Sequence, residues 1–286
     1  CQGMNKIFLK FKLNLYFTYL FLILGSIIIY FPIYWTLITS FKLPISIINI
    51  TYIPWIDFKP SLHAWKAVSE QAGVVKGFTN GIVVSLTSAI IAVVFGSMAS
   101  YGLTRFRYKF LKLRNHDLTL WIISQRFMPP IVVVLAFLIM FVYLGIIDTV
   151  VGLIIAYLGF NISLVVWLLK DFFKSIPIEI EESAQLEGAS RLRIYWSIIF
   201  PIAIPGIVAS FIICFILTWN EFLFALILTY QEAGTVPLLL AAQVTNTGIQ
   251  WWRLSVLAIL SLIPSIICAV ILEKYMNSGL FSGSIK

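Results

Sequence analysis

Long apolar stretches separated by short polar connections dominate this chain. A helix needs about 20 residues to cross a bilayer, and six of the stretches reach that length. They run over Leu13–Phe41, Ile82–Leu103, Leu118–Leu144, Val150–Leu169, Ile202–Thr229 and Leu254–Leu272. The pattern therefore predicts an all-α integral membrane protein with six transmembrane helices.

Two prolines interrupt the third apolar stretch. Pro129 and Pro130 have no backbone N–H to donate, so we expect them to kink or break this helix. Pro32 is expected to bend the first helix in the same way. The first stretch is too long for a signal peptide and is interpreted as a retained span. Met4 is typical of a natural start, which would make Cys1 to Gly3 additional residues.

Composition excludes a soluble enzyme, a disordered chain and a protein with a single anchor. Of the 286 residues, 60% are hydrophobic and 11% are charged, and the mean hydropathy is +0.99. A soluble domain carries about 25% charged residues, so too few polar residues remain here to cover a globular surface. The excess apolar residues instead fit a set of spans in a bilayer.

The distribution of basic residues predicts the orientation in the membrane. The N-terminal segment, the second and fourth connections and the C-terminus carry 14 Lys and Arg residues, against five on the other side, with Arg126 at membrane depth. Basic residues accumulate on the cytoplasmic side, so both termini are expected there and residues 42–79 outside. The net charge of +8 thus reflects orientation and does not indicate nucleic-acid binding.

The sequence lacks the common motifs of catalysis and phosphate binding. It contains no G-x-x-x-x-G-K-[ST], H-E-x-x-H or G-x-S-x-G. His63 and His116 fall on opposite sides of the membrane in the predicted topology, and the three cysteines lack metal-binding spacing. We therefore expect no catalytic residue, no metal and no cofactor bound by this chain.

The most informative segment is Ser175–Pro205, which reads SIPIEIEESAQLEGASRLRIYWSIIFPIAIP. Ser175 is predicted to cap a short helix, with Pro177 and several glutamates in its first turn. Gly188 permits a chain reversal, and Ser190 is predicted to cap a second helix. The expected apolar face of that second helix consists of Leu192, Tyr195, Trp196 and Ile199. These residues alone fit equally a loop packed on its own spans and a lever that docks into a cytoplasmic partner.

This segment resembles a family signature. The runs Glu182-Ser183-Ala184, Glu187-Gly188 and Ile198-Ile199-Phe200-Pro201 are similar to the E-A-A-x-x-x-G…I-x-L-P pattern of binding-protein-dependent ABC importer permeases. The flanking IPIEIEESAQLEGAS, IIFPIAIPG and TWNEFLFAL resemble the smaller permease of maltose-type carbohydrate importers. The similarity extends to TNGIVVSLTSAI, RFMPPIVVV, LGIIDT and GLFSGSIK, so it covers nearly the whole chain from Tyr16 onward.

The resemblance implies a type I ABC importer (MetI-like) permease fold with three parts. Residues 1–79 would hold the N-terminal cytoplasmic segment, the first span and an external excursion. Residues 80–275 would form the transmembrane domain, with a cytoplasmic coupling helix at 176–200. Residues 276–286 would form a cytoplasmic tail.

The resemblance also implies which residues meet the ATPase subunits. Those of the coupling helix would be Glu182, Ser183, Ala184, Glu187, Gly188 and Ala189. Those of the C-terminal tail would be Gly283, Ser284, Ile285 and Lys286. The family more often has alanine at the position of Ser183 and aspartate at the position of Glu187. These two departures bear on which ATPase binds here more than on the coupling role itself.

The implied function is that of a non-enzymatic permease subunit in the cytoplasmic (inner) membrane. It would form half of the pathway for a sugar or oligosaccharide, of the maltose or trehalose kind, delivered by an external sugar-binding protein. Its partners would be a second, related permease, two ABC ATPase subunits and the lipid bilayer, with no nucleic acid. ATP and Mg would bind only to the ATPase subunits.

Polar residues inside apolar stretches are functional hypotheses because they are costly in a bilayer. Arg126 lies beside the proline break and Glu221 in the fifth stretch. They would pair with each other, make separate capping contacts, or line a translocation cavity, where sugar hydroxyls need donors and acceptors. Asn161 and Asn220 are further candidates for this pathway. A stripe of small residues that permits close helix packing consists of Ala92, Gly96 and Ser100.

Three other functions stay open at this point. The chain could be an ABC importer permease for a non-sugar solute, because the coupling signature is shared across substrates. A self-sufficient secondary transporter would need coupling-ion carboxylates near the midplane and paired broken helices. A membrane enzyme such as a lipid glycosyltransferase would need acid/base or metal-binding residues clustered at an interface.

Overall fold

A computed structural model of the chain describes residues 2–47, 51–108 and 114–277, with side chains described within these ranges from residue 15 to residue 274. The first half contains α1 (Gln2–Thr39), α2 (His63–Ser69), α3 (Val74–Arg105), α4 (Asn115–Ser124), α5 (Pro130–Leu144) and α6 (Val150–Ser175). The second half contains α7 (Glu179–Leu186), α8 (Arg191–Ile194), α9 (Phe200–Trp219), α10 (Leu223–Leu228), α11 (Val236–Ala241) and α12 (Trp251–Asn277). Short 3-10 turns cover Pro44–Ile47 and Gln125–Phe127, and a π-helical turn covers Tyr195–Ile199.

A short hairpin accompanies the helices within the described ranges. Strands β1 (Val244–Thr245) and β2 (Gly248–Ile249) pair antiparallel, with Val244 opposite Ile249. This two-residue ladder leaves the predicted all-α class unchanged, because the candidate spans are all helical. The hydropathy pattern did not predict the hairpin because each of its strands is only two residues long.

Five helices among the described residues are long and apolar enough to cross a membrane, and the count rises to six if one bent pair forms a single span. The five are α1, α3, α6, α12 and the continuous run Arg191–Trp219. The bent pair joins Asn115–Phe127 to Pro130–Leu144 at an angle of 91°. This confirms the predicted break at Pro129 and Pro130, where two missing N–H donors prevent a continuous helix.

The fifth apolar stretch is also broken, contrary to the prediction of a continuous span over Ile202–Thr229. Helix α9 ends at Trp219, and α10 begins only at Leu223. The side-chain amide of Asn220 donates to the carbonyl oxygen of Ile216 at 2.8 Å, and such side-chain bonds to the backbone compete with helix continuation. Hydropathy did not show this break because the flanking residues are apolar on both sides.

The chain divides into two compact units, of which the first comprises Cys1–Gln71 and Gln243–Leu260. Its connection after α1 contains a buried cation, because the side chain of Lys42 is only 2% exposed. The Lys42 ammonium donates to the carbonyl of Thr51 at 2.6 Å and lies 4.4 Å from the centroid of the Trp35 ring. Burial lowers the pKa of Lys42, and the charge of Asp57 partly opposes this.

The second unit comprises Ala72–Ala242 and Ser261–Lys286, and its core lies between α3, α6 and α9. The stripe of small residues on α3 faces α6. A Cβ atom at Gly96 would lie 2.7 Å from the Cβ of Val165, and the hydroxyl of Ser100 donates to the carbonyl of Val166 at 3.3 Å. The stripe therefore permits close packing inside this unit.

Candidate functional site

Helix α7, the first of the two short helices after α6, begins later than the sequence predicted. Helix α6 continues through Ser175, whose hydroxyl donates to the carbonyl of Phe172 at 2.7 Å, so Ser175 does not cap α7. Pro177 lies between the two helices and not in a first turn. Helix α7 starts at Glu179, with Glu179, Glu181 and Glu182 in its first turn. These carboxylates lie where the helix dipole favours negative charge.

Gly188 reverses the chain after α7, as predicted. Its φ angle of 83° lies in the left-handed region that glycine adopts without strain. The N–H of Gly188 donates to the carbonyl of Gln185 and the N–H of Ala189 to that of Ala184, each at 3.0 Å. This is the Schellman arrangement of a helix C-terminus. The predicted cap by Ser190 is also confirmed, because its hydroxyl accepts the Arg193 N–H at 3.4 Å.

The predicted single apolar face of the second helix is wrong. Tyr195 and Ile199 are buried, whereas Leu192 is 65% exposed and Trp196 is 43% exposed. The residues that face the core are instead Ile194, Tyr195 and Ile199, so the buried face is centred on other positions than the sequence predicted. Leu192 and Trp196 therefore lie on the outer surface.

Most of the residues expected to dock the ATPases lie on the outer face of α7 and its turn. Exposed residues of this group are Glu182, Ser183, Glu187 and Gly188. Ala189 is half-buried, and Ala184 is buried in the core. Leu186, which the sequence analysis did not single out, is 91% exposed at the end of α7. An apolar side chain so exposed beside Glu187 and Gly188 is suited to a protein contact.

The opposite face of α7 is anchored by Glu181, which the sequence analysis treated only as a first-turn carboxylate. Its side chain is 2% exposed, and its two oxygens accept from Arg105 Nε and the Tyr101 hydroxyl, each at 2.6 Å. The only sequence signal for this contact is a basic residue at the end of α3 and an acidic residue at the start of α7. The pairing spans a long stretch of chain and leaves no local pattern.

A cavity of about 410 Å³ lies among the proline break, α6 and the end of α9. Three of the four residues predicted for a pathway line it: Arg126, Asn161 and Glu221. Asn220 does not line it; its exposed side chain donates to the Ile216 carbonyl. Tyr157 and Thr218 also line the cavity, and the sequence analysis missed them. Their hydroxyls add donors and acceptors to the wall.

Glu221 lies two residues before α10 and contacts α6. Its carboxylate accepts the backbone N–H of Phe224 at 3.0 Å and of Ala225 at 3.3 Å, and it accepts the Tyr157 hydroxyl at 2.8 Å. Within the described ranges of the chain, no ion pair joins Glu221 to Arg126, which is exposed. Asn161 donates to the Thr218 hydroxyl at 2.9 Å.

Asp148 fixes the segment that follows α10. Its carboxylate accepts all four backbone N–H groups of residues 230–233 at 3.0 to 3.1 Å. Burial on its own would raise the pKa of Asp148, but these four donors outweigh it and hold the pKa below its usual range. Asn80 holds the same segment from α3, because its amide donates to the carbonyls of Glu232 and Gly234 at 2.8 and 3.1 Å.

The predicted tail contacts of Gly283, Ser284, Ile285 and Lys286 lie outside the described residues. They stay a prediction.

Apolar spans around a cavity that has a few polar side chains in a mainly apolar wall are typical of a multi-pass membrane transport component. Residues 95–282 match the family described as the binding-protein-dependent transport system inner membrane component. This match covers more than half of the chain, and the chain belongs to this family. The family is a membrane component of transport systems, so the chain is a permease subunit and not an enzyme.

Similar proteins support the assignment over nearly the whole length. The chain is 31% identical over 277 residues to the inner membrane ABC transporter permease protein YcjP of Escherichia coli, covering 93% of this chain and 94% of that protein. It is 28% identical to the trehalose/maltose transport system permease protein MalG of Thermococcus litoralis, covering 92% and 94%. The crystal structure of a bacterial ABC transporter involved in the import of the acidic polysaccharide alginate matches with a TM-score of 0.73 and 20% identity, covering 91% of this chain and 95% of that chain. This last likeness shows the ABC permease fold.

Proposed function

We propose that this chain is the permease subunit of an ATP-driven importer for a sugar or oligosaccharide of the maltose or trehalose kind. It forms half of the translocation pathway, together with a second, related permease, and receives its substrate from an external sugar-binding protein. Two ABC ATPase subunits bind the ATP and Mg. The carbohydrate assignment is supported by the relative named for trehalose and maltose transport. The broken pair α4–α5 counts as the sixth span, and both termini lie in the cytoplasm.

The observation that carries the coupling part of the proposal is the outer face of α7. This face presents Glu182, Glu187 and Leu186 to solvent, while Glu181 and Ala184 hold the opposite face against the protein. A surface that combines carboxylates with a 91% exposed leucine is suited to a partner with a basic and apolar cleft. We place the ATPase contact here, through Glu182, Ser183, Glu187, Gly188 and the half-buried Ala189, while Ala184 of the family signature packs behind them in the core. We place a second contact at Gly283, Ser284, Ile285 and Lys286.

The cavity at the proline break is the proposed pathway. Arg126 supplies donors, Glu221 supplies acceptors, and the amide of Asn161 supplies both, which matches the hydroxyl groups of a sugar. Asn220 lies next to Glu221 at the break between α9 and α10 but outside the cavity, so we do not assign it to the pathway. Because Tyr157 and Phe160 add aromatic surface to the cavity wall, one side of a sugar ring could pack against it.

The test is a pull-down of the detergent-solubilised complex. We compare the unmodified chain with the double variant Glu182→Ala, Gly188→Pro, which removes an exposed docking carboxylate and the N–H of the chain reversal. The ATPase subunits are expected to dissociate while the two permeases stay together. Glu179→Ala, an exposed carboxylate of the same helix outside the docking group, serves as the matched control and retains the ATPases. Retention of the ATPases by the double variant, with normal ATP hydrolysis, contradicts the proposal.

A further inference from the structure

Tyr101, Arg105 and Glu181 form a buried polar group where α7 meets the end of α3, and we call it the Glu181 cluster. One carboxylate oxygen of Glu181 accepts from Arg105 Nε at 2.6 Å, and the other accepts from the Tyr101 hydroxyl at 2.6 Å. A second guanidinium nitrogen of Arg105 donates to the carbonyl of Ile176 at 2.7 Å, just before α7. Both oxygens of the carboxylate are therefore bonded inside the protein.

Burial makes the ion pair between Arg105 and Glu181 costly to break. The side chains of Arg105 and Glu181 are only 9% and 2% exposed. When one partner of a buried ion pair is lost, the other stays behind as an uncompensated charge. Helix α7 therefore cannot move away from α3 without leaving both charges unpaired, whereas the exposed carboxylates of α7 impose no such constraint.

Aromatic packing fixes the cluster to its surroundings. The Tyr101 ring lies 5.8 Å from the ring of Phe173 at the end of α6 and 5.1 Å from the ring of Tyr195. The hydroxyl of Tyr195 is hydrogen-bonded to that of Ser97 on α3 at 2.8 Å. The cytoplasmic end of α3 is thus joined both to α7 and to the π-helical turn that leads into α9.

The other end of α3 is anchored as well. The amide of Asn80 donates to the carbonyls of Glu232 and Gly234, and Lys76 forms an ion pair with Glu232. Helix α3 runs unbroken from Val74 to Arg105. At about 1.5 Å per residue, Asn80 and Arg105 lie about 37 Å apart along it. One continuous helix therefore joins α7 to the segment 229–235.

We propose that the Glu181 cluster fastens α7 to α3, so that α3 carries the displacement of α7 through the membrane to the segment 229–235. Tyr101 and Arg105 act as positioning residues in this role. The inference rests on the proposed function, because it takes α7 as the helix that the ATPases move. It adds to that function the helix that receives the movement of α7, namely α3. A rigid-body switch between two packed states requires such a connection.

The test measures the distance between α7 and α3 with spin labels. Labels are attached at Glu179→Cys on α7 and Phe95→Cys on α3, two exposed positions, after the native cysteines are replaced by serine. The complex with its partner permease and ATPases is placed in lipid, and the distance distribution is recorded with and without ATP. We expect the same distribution in both states. With Glu181→Gln added, we expect the two labels to separate when ATP binds, whereas the control Asp171→Asn, an exposed carboxylate on α6, leaves the distribution unchanged.

A second readout separates coupling from folding. In Glu181→Gln and in Arg105→Gln, the stimulation of ATP hydrolysis by the loaded binding protein should decrease about tenfold, a typical size for coupling between sites. The double variant should lose no more than either single variant, because the two residues act as one pair. All three variants should still retain the ATPases in a pull-down.

Two results overturn the proposal. The first is a change of the label distance with ATP when the cluster is intact, and the second is full stimulation in Glu181→Gln. If the ATPases do not copurify even with the unmodified chain, the proposed coupling function fails first, and the role of the cluster fails with it.

Discussion

The hydroxyl of Tyr157 donates a hydrogen bond to the carboxylate of Glu221 at 2.8 Å, joining α6 to the break between α9 and α10. The same carboxylate accepts the first N–H groups of α10. Glu221 therefore has a structural partner that is not Arg126, and it still faces the cavity. One residue thus holds the broken span together and contributes to the wall of the proposed pathway.

The Tyr157→Phe variant tests this contact. Removal of the hydroxyl deletes one hydrogen bond to a charged acceptor, so we expect the free energy of unfolding to decrease by about 1.5 to 3 kcal/mol. Denaturant titration of the purified protein in detergent measures it. Tyr143→Phe is the matched control, because Tyr143 is 87% exposed and its change should stay within about 0.5 kcal/mol. Equal stabilities of the two variants would contradict the structural role of the bond.

The Asp148→Asn variant tests the clamp on residues 230–233. The amide has no charge to strengthen the four backbone hydrogen bonds, so the free energy of unfolding at neutral pH should decrease by about 1.5 to 3 kcal/mol. Asparagine also tolerates the positive φ angle of 54° at this position, so backbone strain does not confuse the comparison.

The effect of Asp148 should depend on pH. Its pKa in the folded state is lower than its usual value, so its stabilising contribution is complete above the unfolded-state pKa of about 3.9 and is lost as the pH decreases through the folded-state pKa. The difference between the unmodified chain and Asp148→Asn should therefore be constant near neutral pH and shrink in strong acid. A difference that grows as the pH decreases would show that the carboxylate is not held by these donors. Asp171→Asn provides the exposed control.

Two glycine substitutions test the packing of α3 on α6. In Gly96→Ala, the new Cβ would lie 2.7 Å from the Cβ of Val165, so overpacking should destabilise the protein by about 1 to 3 kcal/mol. In Gly159→Ala, no atom lies within 4 Å of the new Cβ, and the higher helix propensity of alanine should stabilise by up to about 1 kcal/mol. Thermal unfolding in detergent measures the change in Tm of both variants. Shifts of the same sign would show that the two helices are not in close contact at Gly96.

Local sequence signals were sufficient to predict the long helices, apart from the end of the fifth, and the chain reversal. The hydropathy pattern located each long helix, the missing N–H groups of Pro129 and Pro130 located the bend, and Gly188 located the reversal after α7. Each of these features depends on residues close together in the sequence. The same kind of reasoning correctly placed the Ser190 cap.

The contacts that hold the site depend on residues far apart in the sequence, and no local pattern predicts them. Glu181 meets Arg105, and Asp148 meets residues 230–233, only because the spans pack side by side. The break at Asn220 coincides with a side-chain hydrogen bond within an apolar stretch, and the outward position of Leu192 follows from the burial of Ile194 against the core. A carboxylate next to a span boundary was the one available signal for Glu181 and Asp148.

The most direct measurement of the central claim is uptake of radiolabelled maltose or trehalose into vesicles that contain the two permeases. The ATPases are bound on the inner side of the vesicle membrane, and the sugar-binding protein is added on the outer side. The account predicts uptake that requires ATP and the ATPases and that is abolished by Glu182→Ala combined with Gly188→Pro, while Glu179→Ala transports normally. Uptake by this chain alone, driven by a proton or sodium gradient without ATP, would contradict the account and identify a secondary transporter.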